Sequence, residues 1–540
     1  MKYLKSIIFI GLCLVQFNAL AHSEISGDLN HEKHKAEKLL WHMANAIGGK
    51  HRLLSIYSER IVSHGSRFEP EQAAGPGHAP VPVANYTQVH RRDFTTDRFR
   101  IEWENDILYP WTIARTHAEI INGKFGAVFG FDTFIPPAPE FSPMFSTRMA
   151  MRIKQHLMSS PAYLIHHAFA NRQGLRYEGK VNFKGRKNFV ISMIGLHERI
   201  KVYIDAHTHL PSKTETLEDD PVYGDTLLEV LFEDWRRVEY IKAPFHVRFR
   251  FNDAIINNEI RTEISFNEPL QDELFEVPET LTKPFEPEQF AWGDRSSQMF
   301  ARMLAMGVPI DFDQSNPQTA QLFPVSDNVF HIVGGTHNSL IVEMENYLIV
   351  IDPVLYSQRS NTIIGMAAQI WPEKPIRYVV ATHFHNDHIG GIRSYAAIGA
   401  TLVVADSAKH NLSAILQAPH TVYPDSLAIN PRKTTIETIP YQGELELTDG
   451  SNSVRIISVP NVHSEDILVA YLPNQATVFM SDVYNPGLPI PLPAQFDNWA
   501  INFYDAIIPL GLTIEQFAGG HGLPGPTPFQ LFEDTVNASR

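Results

Sequence analysis

The sequence predicts an α/β chain in two parts, an α+β domain with a curved antiparallel sheet followed by a layered α/β domain that carries a metal cradle. Three observations lead there. Short alternating apolar and polar runs recur through the first 280 residues, a strand, helix, strand rhythm begins near Asp327, and one strand of that second part runs directly into Thr382-His383-Phe384-His385-Asn386-Asp387-His388-Ile389-Gly390-Gly391. At 540 residues the chain exceeds what one core holds, so at least two domains are required.

The N-terminus has Lys2 and Lys5, an apolar run from Ile7 to Val15, and Ala19-Leu20-Ala21. That is the layout of a secretory signal peptide over residues 1–21, and it implies a secreted or periplasmic protein. Lipidation at Cys13 is the competing reading, but Leu12 stands where a small residue is wanted. Cys13 is the only cysteine, so the mature chain has no disulfide and depends on packed cores and bound metal.

From residue 30 to 280 the elements follow in order. Residues His34 to Ile47 place apolar side chains at helical spacing and stop at Gly48-Gly49. Alternating segments follow at Phe99-Ile101-Trp103, Asn188-Val190-Ser192, Lys201-Tyr203-Asp205, Leu228-Val230-Phe232, His246-Arg248-Arg250 and Ile260-Thr262-Ile264. Helices interrupt them from about Ser146 to Met158 and from Pro161 to Asn171, with Ser160 as cap and Pro161 as first residue of the second. Helix, Gly-Gly, meandering strands and a late Leu274-Phe275-Glu276-Val277-Pro278 resemble the periplasmic lipoprotein-carrier family, which implies a half-barrel that shelters acyl chains. Sixteen of the 25 histidines precede residue 250, but His166-His167 and His207-Thr208-His209 lack a following Asp-His pair and read as surface or packing residues.

Residues 281–325 hold Pro284, Pro287, Pro309, Pro317 and Pro324 and a helical patch at Met299–Met306, so they read as a linker before a domain at 326–540. There, Val329-His331-Val333, Ser339–Val342, Leu348–Ile351, Tyr378–Ala381 and Thr401–Val404 read as strands, a helix spans about Ser360 to Ile370, and Asp406 is placed to cap another. The cradle sits at the carboxyl end of its strand, where open α/β sheets place their sites. Residues two apart on a strand end share a side, so His383 and His385 can converge on one cation while the following turn carries Asp387 and His388 toward a second. Imidazole and carboxylate suit zinc or another first-row metal.

Together with Val462-His463-Ser464, Ser481-Asp482-Val483 and Gly519-Gly520-His521-Gly522, the cradle resembles the metallo-β-lactamase fold superfamily over about 325–525. The resemblance implies an αββα sandwich with two metal ions, zinc first and iron or manganese as alternatives. His383, His385 and His463 would hold one, Asp387, His388 and His521 the other, and Asp482 would bridge them. Asp387 would also orient the attacking hydroxide, and Tyr484 would donate a hydrogen bond to the developing oxyanion, packing in a loop being its other reading. Asp352 is either a residue that orients ligands or a turn residue before Pro353. His337 reads as part of a solvated turn, with a place by the substrate as its other reading, and Pro486–Pro493, with Phe496 and Trp499 just beyond, as an apolar lip over the metals or a loop that packs on the core. Aspartate at 482 is similar to glyoxalase II and lactonases rather than zinc β-lactamases.

The resemblance therefore implies an exported hydrolase of an ester, lactone, thioester or amide, with an amphipathic acyl substrate. An apolar-ligand carrier with a vestigial metal site and an iron-loaded oxidoreductase remain open. A net charge of −15 argues against a nucleic-acid partner, and no stretch after the leader reads as a transmembrane helix.

Overall fold

The computed structural model describes residues 31–132, 139–144, 146–196, 198–281, 320–334 and 336–540. The leader, the helical patch at 299–306 and most of the proline-rich stretch lie outside the described residues.

The first domain is built on one thirteen-stranded antiparallel sheet. Its chain path explains its shape. Strands Ser58–Glu69 to Phe141–Pro143 step outward from the middle of the sheet to one edge, and strands Arg176–Phe183 to Ala254–Phe266 step back from the opposite edge. The last strand then pairs with the first, Ile61 opposite Ile264. The chain must therefore cross from edge to edge between the two meanders. It does so through helices Ser146–Ser159 and Pro161–Ala170, which pack on the sheet with the helix at 31–47. Ser160 caps the second helix, its hydroxyl accepting from the Tyr163 N–H at 3.3 Å.

The layer between helix and sheet is strongly charged. Arg148 pairs with Glu119 and Asp132, Arg152 with Glu119, Lys154 with Glu218, and Arg92 with Glu59, all buried. Arg67 stacks between Tyr86 and Trp103 and donates to Asn105 at 2.9 Å. Buried ions of this kind are held by partners already in place. They lie beside an apolar cluster in which Leu40, Met43, Met158, Leu164 and Ile165 of the helices pack with Ile191, Val202 and Val230 of the sheet.

The second domain is an αββα sandwich. A seven-stranded and a six-stranded sheet face each other, and alternation sorts their side chains. Leu340, Val342, Ile349, Ile351, Val380 and Val403 meet Val454, Ile456, Leu468, Ala470, Phe479 and Ala518 between the sheets. Their neighbours Ile341, Leu348, Val350, Val379 and Leu402 face helices Ser357–Ile370, Ile392–Ile398 and Lys409–Gln417. Those of the other sheet, Val469, Val478 and Phe517 among them, pack with helices Phe496–Ile507 and Phe529–Ser539.

Two boundaries differ from expectation. Strand Gln321–Ser326 pairs with Val329–Val333, so the sandwich begins inside the stretch read as linker. Pro324 is tolerated because this is an edge strand, where a missing N–H leaves no ladder bond broken. Asp406 lies within the 3-10 turn Asp406–Ala408, with no side-chain cap on the helix after it.

The domains interlock at several places, two of them away from the cradle. At one, Gly224 has φ 66° and a Cβ there would come within 2.1 Å of the Pro419 carbonyl oxygen, so only glycine lets the hairpin enter. Beside it Asp219 lies 2.8 Å from His420, and the Thr421 N–H donates to Asp225 at 2.7 Å. At the other, Tyr109 meets Trp499 and Trp111 meets Phe496.

Candidate metal centre

Every candidate ligand lies just beyond a strand of the sandwich, at one edge. His383 to His388 follow strand Ile376–Val380, His463 follows Ser453–Ser458, Asp482 follows Thr477–Met480, His521 follows Gln516–Gly519, and His337 precedes Ser339–Glu343. The turn after the cradle packs against Asp352–Leu355, and this explains Gly390-Gly391. A Cβ at Gly390 would meet the Leu355 carbonyl oxygen at 2.0 Å, and one at Gly391 the Ser360 hydroxyl at 2.0 Å.

Two groups of metal-ligating atoms result: His383, His385, His463 and Asp482, and His337, Asp387, His388 and His521. In the first, His383 Nε2 lies 3.0 Å from His385 Nδ1 and 3.3 Å from His463 Nε2. Asp482 joins the groups through its two oxygens. Oδ2 lies 3.4 Å from His463 Nε2 and 3.7 Å from His383 Nε2, while Oδ1 lies 2.8 Å from His521 Nε2 and 2.7 Å from His388 Nε2. His388 Nε2 and Asp482 Oδ1 are fully buried and, despite that separation, neither makes a well-aligned hydrogen bond.

The surrounding side chains fix this aim. Asp352, wholly buried at φ 63°, accepts from the Thr382 N–H, from His388 Nδ1–H and from the Ser481 hydroxyl at 2.9, 2.9 and 3.0 Å. His388 must then present Nε2 to the centre. The field suits a cation. Burial opposes charge on His388, yet Asp482, Asp352 and Asp387 outweigh it and raise its proton affinity well above the ordinary value. Burial likewise disfavours the Asp482 and Asp387 carboxylates, but the histidines around them hold both well below the usual range. His385, among other imidazoles, is pushed by burial down to about 3 and stays neutral. A neutral His385, carboxylates that favour positive charge at His388 and His521, and orphaned buried ligand atoms fit a pair of divalent metal ions.

Three outcomes differ from the sequence reading. His337 is buried, with Nε2 3.0 Å from Asp387 Oδ2 and its ring against His521, so it belongs to the second group and not to a solvated turn. Tyr484 is placed outside the site: its ring packs on Phe517 and Phe532 and its hydroxyl lies 3.3 Å from Thr535 Oγ1, so the oxyanion role is withdrawn. Phe496 and Trp499 are buried, Trp499 4.3 Å from the His463 ring, and form a wall beneath the lip; the exposed Ile490 is the lip's outer residue. His166 and His167 bond to the carbonyls of Leu53 and Ile194, and neither they nor His207 and His209 enter a metal-ligating group among the described residues.

A cradle of imidazoles and carboxylates at the edge of an αββα sandwich defines a candidate metal-binding domain. Residues 332–499, most of the second domain, match the family model of the metallo-beta-lactamase superfamily. Over 73 residues the chain is 34% identical to the alkyl/aryl-sulfatase BDS1 of Saccharomyces cerevisiae and, over the same length, 30% identical to the linear primary-alkylsulfatase of a Pseudomonas species. Each match covers 13% of this chain and spans only 11% of the relative. Similar solved structures include the metallo-beta-lactamase FIM-1 from Pseudomonas aeruginosa, in its mono-zinc form, at 20% identity and TM-score 0.30, covering 41% of this chain and 94% of that one. Another is a metallo-beta-lactamase from Pontibacter korlensis, at 18% identity and TM-score 0.31, covering 41% and 98%.

Proposed function

We propose that the protein is a binuclear metal-dependent hydrolase that cleaves an ester bond in an amphipathic substrate outside the cytoplasm. The observation that carries this reading is Asp482, whose two carboxylate oxygens divide between the two ligand groups. His383, His385 and His463 would hold one ion, Asp387, His388 and His521 the other, with His337 beside it and zinc the first choice for this donor set. Bound there, the pair would supply Lewis acidity and a hydroxide available near neutral pH.

The chain's own part is to aim and to exclude. Asp352 holds His388, and Asp387 is kept ionised as ligand and hydrogen-bond acceptor. Trp499 closes the space beside His463. Three exposed aliphatic residues, Val462, Ile490 and Leu523, lie on the loops that carry or flank His463, Asp482 and His521. An apolar rim on a polar centre suits a substrate with a polar ester head and an apolar tail. The relatives are named as alkyl- or aryl-sulfatases, which adds sulfate esters to the carboxylic esters, lactones and thioesters worth testing.

The test is turnover by the metal-loaded chain on alkyl sulfates, acyl esters, lactones, thioesters, amides and β-lactams, beside Asp482→Ala. Chelator-sensitive hydrolysis that falls by at least about 100-fold in the variant is expected. Full activity in Asp482→Ala would refute the shared-carboxylate centre, and metal analysis separates zinc from iron or manganese.

A further inference from the structure

The first domain reaches into the metal centre. Between its first two strands the chain makes a 3-10 turn at Pro70–Gln72 and continues through Ala73-Ala74-Gly75. Glu71, Gln72 and Ala73 are buried against the cradle of the other domain, more than 300 residues away in sequence. Gln72 Nε2 donates to Asp387 Oδ1 at 2.7 Å and to Asn386 Oδ1 at 3.2 Å. Its own carbonyl oxygen accepts from the Tyr109 hydroxyl at 2.8 Å, which fixes the amide so that the NH2 end faces Asp387.

The next residues extend the contact to both ligand groups. Asn386 Nδ2 donates to Glu71 Oε2 at 2.9 Å. His385 Nε2–H donates to the Ala73 carbonyl at 2.9 Å, leaving Nδ1 to face His383. The Glu465 N–H, two residues beyond His463, donates to the Ala74 carbonyl at 2.8 Å.

We propose that Glu71-Gln72-Ala73 is a positioning strap that completes the metal centre from the first domain, with Gln72, set by Tyr109, holding the Asp387 carboxylate in its ligand orientation. This rests on the binuclear reading above. It gives the first domain a role at the reaction centre: a hydrogen-bond donor held beside a ligand carboxylate restricts which way that carboxylate turns. The strap is neutral where it meets Asp387, so it orients the carboxylate without withdrawing its charge.

The experiment uses the full chain, wild type, Gln72→Ala and Tyr109→Phe, each checked for its thermal midpoint and loaded with zinc or cobalt. Metal content, affinity by chelator competition and the visible absorption of the cobalt form are measured beside kcat and KM. Gln72→Ala is expected to lower the affinity for one of the two ions by about 10–100-fold and to shift the cobalt spectrum. Tyr109→Phe removes one oxygen, and its effect should run in the same direction. The double variant should lose no more than Gln72→Ala alone, because Tyr109 acts through Gln72.

Wild-type affinity and spectrum in both single variants would overturn the strap while leaving the hydrolase reading standing. Conversely, a strap effect on metal binding in a chain that hydrolyses nothing on the panel would uphold the strap and sink the hydrolase. A wild-type chain that takes up no metal would overturn both.

Discussion

Asp352→Asn separates aim from shape at the metal centre. The position has φ 63°, a left-handed conformation that asparagine adopts with little strain, so the substitution alters side-chain chemistry and spares the backbone. With Oδ1 kept on the Thr382 N–H, an NH2 group replaces Oδ2 and points at two donors, His388 Nδ1–H and the Ser481 hydroxyl. Leaving a buried donor without its acceptor costs about 1–3 kcal/mol. Ser481 Oγ is itself 3.0 Å from His388 Nδ1 and can take over as acceptor, which sets the loss near the lower bound, about 1 kcal/mol. The His388 ring then loses its fixed orientation, and metal affinity should fall by about 10–100-fold. Chemical denaturation with chelator present reads the first quantity, and chelator competition with the loaded chain reads the second. Wild-type values for both in Asp352→Asn would refute the claim that this carboxylate aims His388.

Two further outcomes are expected. His331 donates from Nε2 to the Gly519 carbonyl at 2.8 Å and accepts the Gly525 N–H at Nδ1 at 3.0 Å, and burial pushes it down to about 4. A folded value below the unfolded 6.5 means stability present above pH 6.5 and lost as pH falls toward 4. Denaturation of wild type against His331→Gln across that window should show up to about 3 kcal/mol that the variant lacks, and parallel profiles would contradict it. Tyr484→Phe should change stability by less than about 1 kcal/mol and leave kcat/KM within about twofold, since its hydroxyl meets only Thr535; a large fall in kcat would restore the oxyanion role.

The parts of this molecule that sequence discloses are those written in local pattern. Alternation located the strands, and Ser160-Pro161 located a helix start, with Ser160 as cap and Pro161 as first residue, where the structure places it. The cradle was legible because four candidate ligands crowd into six residues. His463, Asp482 and His521 acquired meaning only from their order after it, since each stands alone in its own loop. His337 was not legible: nothing next to it in sequence distinguishes a solvated turn from one packed against His521, and the partner is 184 residues on. Alternation also cannot say which face of a strand is buried when both are covered. Arg92 and Glu119 lie in such strands and form buried ion pairs with Glu59 and Arg152. The strap was hidden for the same reason. Pro70 and Gly75-Pro76-Gly77 announce a turn, and no local rule says that the turn docks on another domain.

That docking bears on which imidazole nitrogen each cradle histidine offers. His383 turns Nε2 inward and His385 turns Nδ1 inward, so neighbours two apart on one strand end present different atoms. A free His385 would choose between tautomers at small cost. Here Nε2 lies 2.9 Å from the Ala73 carbonyl, an acceptor with no proton to give, so Nε2 must carry the hydrogen and Nδ1 is left with its lone pair toward His383. Among the described residues the hydrogen-bond partner of His385 Nε2 is this carbonyl, and it comes from the first domain. Separating the domains would therefore free the tautomer of one ligand and the carboxylate of another at once. The charged interior of the first domain is consistent with that division of labour: ion pairs holding helix to sheet make a stiff platform for a short turn whose carbonyl and amide must stand within hydrogen-bond reach of a neighbouring centre.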